Sequence, residues 1–285
     1  MLSINPKDIP VGQLHRYLLS AVSPRPIAFA STVDENGKPN LSPYSFFNVF
    51  SANPPILIFS PARRVRDNTT KHTLENVRAT KEVVINVVNH DIVQQMSLSS
   101  TEYDAGVNEF EKAGFTMLPS EKIKPFRVAE APVQFECKVN DIIALGQNAG
   151  AGNLVICEVV KLHINESILD TDQNIDQHKL DIIARAGGSY YSRAKDAFFE
   201  IPKPIQSKGI GVDQLPEDIK NSDILSGNDL GVLANVNHLP NEDSINTFKI
   251  QMPNATNLSV EKKHQLAKHF IQQGHIENAW KLLLS

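Results

Sequence analysis

Residues 23–48 read SPRPIAFASTVDENGKPNLSPYSFFN, and the reading of this stretch decides the architecture of everything around it. Pro26 to Val33 is apolar and leads into Asp34-Glu35-Asn36-Gly37, where Asn-Gly is the strongest short-range hairpin signal. Downstream, Ile56 to Phe59 is a short apolar run between Pro55 and Pro61, which predicts a buried strand. Thr69 to Thr73 precedes Leu74 and Val77, a pattern that predicts a capped helix start carrying a lysine and hydroxyls. Such an end presents free N–H groups and a positive dipole, and so suits a phosphate. The run VVINVV at 83–88 predicts a further buried strand.

These ordered blocks, with Lys71, Thr73 and Asn76 spaced as K-x-T-x-x-N, resemble the flavin reductase-like, FMN-binding split-barrel family from about Pro6 to Pro204. The resemblance implies an antiparallel split β-barrel that binds FMN, with FAD or free flavin as alternatives and NAD(P)H as electron donor. It also implies a homodimer and electron delivery to free flavin, oxygen or a partner oxygenase. A flavin ring needs an apolar slot and a few hydrogen bonds at its polar edge, because the cofactor carries the redox chemistry. Ser45, Phe46, Phe47 and Asn48 offer those groups, although Phe46 and Phe47 read alone are equally ordinary core residues. By resemblance, Ser31 and Thr32 contact the ribityl chain or ring edge, the alternative being small and β-branched strand residues with solvent partners, and Ser60 and Arg63 approach the ribityl-phosphate. Arg64 and Arg66 read as surface charges. Lys71, Thr73 and Asn76 are the sharpest local pattern for the phosphate itself. In IIARAGGSYY (182–191), Arg185 is either an anion contact or part of a solvent-facing loop.

Two departures from the family pattern bear on function. His72 stands where the family more commonly has aspartate. The hairpin GQNAGAGNLVICEV (146–159) lacks the histidine that some members use toward pyridine nucleotides; His163, in an apolar run, reads as a hydrogen-bonded strand residue. The resemblance therefore speaks more directly for flavin binding than for NAD(P)H turnover. The competing readings are a non-catalytic flavin-binding or electron-transfer protein, and a split barrel without flavin that serves as an interaction module.

The remaining chain sets the bounds. With 285 residues, 41% hydrophobic and 21% charged, it has the composition of a globular protein able to bury a sizeable core. A net charge of -4 and no basic run beyond Arg63-Arg64-x-Arg66 give no footprint for nucleic acid. No apolar run reaches membrane-spanning length, and the N-terminus lacks a secretory pattern, so a cytoplasmic location is expected. Cys137 and Cys157 read as buried free thiols, and the nine histidines form no metal motif. No nucleophile–base order stands out, which suits a flavin enzyme. Val133 to Leu145 alternates, with Gln134, Glu136 and Lys138 expected to face water, and Asn153 to Ile164 forms a second long β run. Many strands with short helices argue for a mainly β antiparallel barrel over a doubly wound sheet. Asp91 and Asn108 are candidate helix caps, and the leader predicts a short strand, a turn and a helix from Val11 to Leu19. Prolines at 202, 204 and 216 suggest two parts, 1–203 as the FMN-binding domain and 204–285 as a C-terminal helical extension. In the latter, Asn221, Asn228 and Ser259 predict helix starts, and nothing suggests chemistry.

Overall fold

In the computed structural model, which describes residues 1–201 and 208–285, the chain begins with a 3-10 turn at Pro6–Asp8 and helix α1 (Val11–Ala21), without the strand expected before them. The Asn-Gly signal is a hairpin turn. Strands β1 (Ala28–Val33) and β2 (Pro39–Tyr44) pair antiparallel from Ala28↔Tyr44 to Val33↔Pro39. The Asp34 carboxylate accepts from the amides of Asn36 and Lys38, each at 2.8 Å, and Gly37 takes φ +81°, a conformation glycine adopts without steric cost.

Five more strands extend this hairpin: β3 (Phe47–Ala52), β4 (Pro55–Phe59), β5 (Glu82–Val87), and the long pair numbered β8 (Val133–Ala144) and β9 (Asn153–Ile164), which follow two short strands, β6 (Met117–Leu118) and β7 (Arg127–Val128). Among the described residues the order is β2-β1-β5-β8-β9-β4-β3, antiparallel throughout, and the outermost strands β2 and β3 are not paired with each other. The sheet is therefore mainly antiparallel, as expected, and open.

Twofold alternation gives the sheet two packed faces. Ala28, Ala30, Phe59, Val83 and Ile85 share one core with Leu74 and Val77 of α2 (His72–Thr80). Phe29, Leu41 and Val88 share another with Met96 of α3 (Val93–Leu98) and Phe110 of α4 (Glu109–Ala113). Strand β1 is buried at every position, its hydroxyl residues Ser31 and Thr32 included. Ile56 to Phe59 differs from the expectation of full burial: only Leu57 and Phe59 are buried, because the strand turns one face away from the core. Asn108 caps α4 through the Phe110 amide at 3.1 Å, whereas Asp91 caps nothing, since α3 starts from Ile92 without a side-chain bond.

Alternation misplaced two residues. Gln134, expected to face water, is buried and its Nε2 donates to the carbonyls of Val128 at 2.8 Å and Ala131 at 3.0 Å, while Lys138 is exposed as expected. Glu136 was expected to face water and is instead fully buried. The segment between β6 and β7 folds over it, so its oxygens accept from the amides of Glu121 at 2.9 Å and Lys122 at 2.7 Å, and His163 Nε2 lies at 2.7 Å. Burial pushes the carboxyl up, but the two amides and His163 outweigh it and hold it below the usual carboxylate range. Cys137 and Cys157 are buried free thiols opposite Val159 and Val139 rather than each other.

The first unit closes with α5 (Gln177–Leu180) and the pair β10 (Ile183–Arg185) and β11 (Tyr191–Arg193). By its packing the chain divides into Met1–Phe198 and Phe199–Ser285; the expected boundary after residue 203, with Pro202 and Pro204, lies outside the described residues. The second unit is helical: α6 (Glu217–Lys220), α7 (Gly227–Ala234), α8 (Glu242–Gln251), α9 (Pro253–Thr256), α10 (Val260–Gln272) and α11 (Ile276–Leu283). Trp280 is 1% exposed and its Nε1 donates to the Leu233 carbonyl at 3.0 Å, which locks α11 against α7. Ser259 caps α10 as expected; α7 instead starts from a reciprocal Ser226–Asp229 capping box, and Asn221 ends α6. No helix among the described residues is long and apolar enough to cross a membrane.

A carboxyl held below its unfolded value contributes stability above the unfolded pKa and loses it as pH falls through the folded one. Glu136→Gln keeps one acceptor and loses the charge, so it is expected to lower stability at pH 7 by about 1.5–3 kcal/mol. Below about pH 4.3 the gap to wild type should narrow. Urea midpoints measured across pH check this; a gap independent of pH would show that packing, not charge, sets the loss.

Candidate functional site

A cavity of about 560 Å³ lies at the end of β2. Ser42, Pro43 and Tyr44 reach it from β2, Ser45 and Phe46 from the bend that follows, and Ser60 with residues 62–66 from the segment after β4. Arg185, Ala186 and Gly188 supply another wall, and His15 and Leu19 reach it from α1.

Arg25 is what places α1 there. Arg25 is buried, 6% exposed as a residue, and its guanidinium donates to the carbonyls of Leu19, of Val22 at 2.6 Å and of Ala186 at 3.2 Å, with Nε 3.4 Å from Ser45 Oγ. Burial and then the neighbouring Arg185 pull its pKa below the usual arginine value. A Cβ at Gly187 would run into Ser20, so only glycine lets the end of α1 approach the loop after β10 this closely. Arg185 donates to the Tyr190 carbonyl at 2.9 Å and stacks 4.6 Å from the Tyr191 ring.

The cavity lining holds a cluster of cations. Arg63, Arg64, Arg66 and Lys71 line it, and Glu102 is the one carboxylate among its described lining residues. Arg64 Nε is 3.0 Å from Glu102, Arg66 is 2.9 Å from it and Lys71 is 3.4 Å from it. Arg64 also donates to Thr69 Oγ1 at 2.9 Å and to the Thr70 carbonyl, so it is not the surface charge expected; its side chain is 17% exposed, against 74% for Arg66. Arg63 turns its Nε to Asn68 Oδ1 at 2.6 Å and braces the loop before α2.

The helix start differs from the expected capped end. Lys71 is the cap position and makes no side-chain cap bond, so the first amides and the positive dipole end stay open. The hydroxyls are used elsewhere: Thr69 donates to Asp67 at 2.6 Å, and Thr73 accepts from Asn40 Nδ2 at 2.8 Å. Asn76 Nδ2 donates to Thr32 Oγ1 at 3.0 Å. These bonds fasten α2 to β1 and β2.

Of the residues singled out from sequence, Ser45, Phe46, Ser60, Arg63, Lys71 and Arg185 come together around the cavity. Ser31, Thr32, Phe47, Asn48, Thr73 and Asn76 do not line it. Ser31 and Thr32 point to opposite faces of β1, and both are fully buried. Phe47 packs on the first core, and Asn48 is exposed with Oδ1 on the adjacent Val49 amide. Ser60 Oγ accepts from the Asn153 amide at 3.0 Å. Sequence reading missed Arg25, Tyr44 and Glu102. The Tyr44 phenol is buried without a well-formed hydrogen bond, and burial raises its pKa. Glu102 meets its cations across 31 to 38 residues, which no local pattern reveals. Hydrogen bonds from Arg64 and Arg66, then the Lys71 charge, hold its carboxyl below the usual range.

Comparison with known proteins gives a consistent picture. A model of the flavin reductase like domain matches residues 20–180, which leaves α1, mostly, and everything from β10 onward outside it. An uncharacterized protein of Aquifex aeolicus is 38% identical over 188 residues, covering 66% of this chain and 93% of that one. The crystal structure of nitrilotriacetate monooxygenase component B from Bacillus cereus is similar at TM-score 0.65 and 30% identity, over 71% of this chain and 98% of that one. A Shewanella frigidimarina protein described as a flavin reductase with split barrel domain is similar at TM-score 0.60 and 25% identity, over 71% and 100%.

Proposed function

Because the chain belongs to the flavin reductase-like family, we propose that its cavity binds FMN and that it is a flavin-dependent oxidoreductase, with NAD(P)H as electron donor. The observation that carries this reading is a cavity that combines apolar surface with a cluster of cations. Pro43, Phe46, Ala62 and Leu19 offer apolar surface, and Arg63, Arg64 and Lys71 gather cations beside the open dipole end of α2. That donor set fits a flat ring with a phosphate tail, and the Tyr44 phenol, buried at the wall, makes no well-formed hydrogen bond.

When bound, FMN supplies the hydride and electron chemistry. The protein's own part is placement. Lys71, Arg64 and the first amides of α2 would hold the phosphate, while Ser45, Ser60 and Tyr44 would offer hydrogen bonds along the wall. Phe46, edge-on to His15 at 6.4 Å, and Leu19 would keep water from one side of the ring. We further propose that the open sheet curls as a split barrel and that two copies associate through the β3 edge, where Val49 and Phe50 are 64% and 63% exposed. A single-copy mass by light scattering would remove the dimer. The Bacillus cereus neighbour's name, component B of a monooxygenase, motivates the proposal of an oxygenase partner here.

Two experiments test the core of the reading. Lys71→Ala removes a charge-assisted contact, typically ~1.5–3 kcal/mol, or roughly 10- to 150-fold in FMN dissociation constant. Riboflavin, which has no phosphate, should bind wild type and variant alike; equal small losses for both would place the phosphate elsewhere. In anaerobic stopped-flow, NADH or NADPH is expected to bleach the bound flavin. Flavin that stays oxidised with both nucleotides would make the protein an electron carrier instead.

A further inference from the structure

We propose that Glu102 is a displaceable counter-ion of the phosphate subsite, a residue that competes with the ligand's phosphate for the same cations and so sets how strongly the site selects phosphorylated flavin; this rests on the FMN reading above. Both carboxylate oxygens are engaged. Oε1 accepts from Arg64 at 3.0 Å and Lys71 at 3.4 Å, and Oε2 accepts from Arg66 at 2.9 Å. Lys71 is the cap residue of α2 and Arg64 is bonded to Thr69 and the Thr70 carbonyl just before it, so both are placed where a phosphate at that end would need them. A phosphate dianion brings more charge and three terminal oxygens to donors that one carboxylate now shares. The two anions repel each other at this range, so the same cations cannot serve both fully.

The segment that carries Glu102 is built to yield. Between α3 and α4, the backbone bonds of Ser100, Thr101, Tyr103 and Val107 all close on residues 97 to 104, and none reaches the sheet. Glu102 is thus tied to the loop before α2 by its side chain. Glu102 is 42% exposed and its partners Lys71 and Arg66 are 30% and 74% exposed, so those two pairs are individually weak, while Arg64, 17% exposed, is the more sheltered partner. Displacing the carboxylate is therefore inexpensive for a phosphate ligand and unrewarded for a neutral one. A wholly structural counter-ion predicts the opposite, because removing it would scatter the cations and weaken the subsite.

The test is flavin fluorescence titration of the full chain and its Glu102→Gln and Lys71→Ala variants, each with FMN and riboflavin. Glu102→Gln is expected to tighten FMN by about 3- to 10-fold and leave riboflavin unchanged. FMN affinity that is unchanged or weaker in Glu102→Gln, while Lys71→Ala still loses FMN selectively, overturns this inference and leaves the FMN reading standing. Equal tightening of both ligands also overturns it, since the carboxylate would then act on the cavity as a whole. No selective loss in Lys71→Ala, or no FMN binding by wild type, overturns the FMN reading and the inference with it.

Discussion

The site depends on where α2 begins, and that is set by four short polar side chains. Asn40 on β2 donates to Thr73, and Asn76 donates to Thr32 on β1, so the first two turns of α2 are bonded to two adjacent strands. Thr32 and Thr73 are almost fully buried, where an unmade hydrogen bond is expensive, and this makes the seating specific as well as strong. Leu74 and Val77 add apolar contact to the same core. With the helix fixed there, Lys71 can only lie at the mouth of the cavity and the open amides can only face that way. Residues read from sequence as ligand contacts thus hold the scaffold that positions the cavity lining.

What was legible in the sequence followed locality. The Asp34–Gly37 turn, Asn108 and Ser259 caps, and the two long strands each depend on residues a few positions apart, and each formed as read. Residues drawn from the family pattern divided by the face on which they landed. Ser45 and Phe46 sit in the bend after β2 and meet the cavity, while Phe47 is the first residue of β3 and turns to the core. Glu136 and Glu102 escaped for one reason: their partners come from distant segments that fold over them. Alternation tells which way a side chain leaves the sheet, not whether something covers it there.

Charge arrangement sharpens the contrast within one chain that is slightly acidic overall. Cations crowd one cavity while the net charge stays at -4, so the local field at the site opposes the global one. Arg25 shows that a guanidinium in that crowd need not await a ligand, since its donors are committed to the carbonyls of Leu19, Val22 and Ala186. Arg63, braced on Asn68, is half-committed in the same way. Lys71, by contrast, has only Glu102 among its described side-chain partners. Counting cations overstates a site's attraction for anions; counting uncommitted donors gives the better measure.

The two thiols have a bearing on chemical durability. Reduced flavin that meets oxygen releases peroxide, and peroxide attacks thiolate rather than thiol. Cys137 and Cys157 lie wholly inside the sheet, and burial pushes both far from ionisation, Cys137 further by the nearness of Cys157. Were flavin to turn over in air at the cavity, the peroxide formed would meet sulfur held as thiol rather than thiolate. The burial that places both thiols inside the sheet also keeps them in their unreactive form.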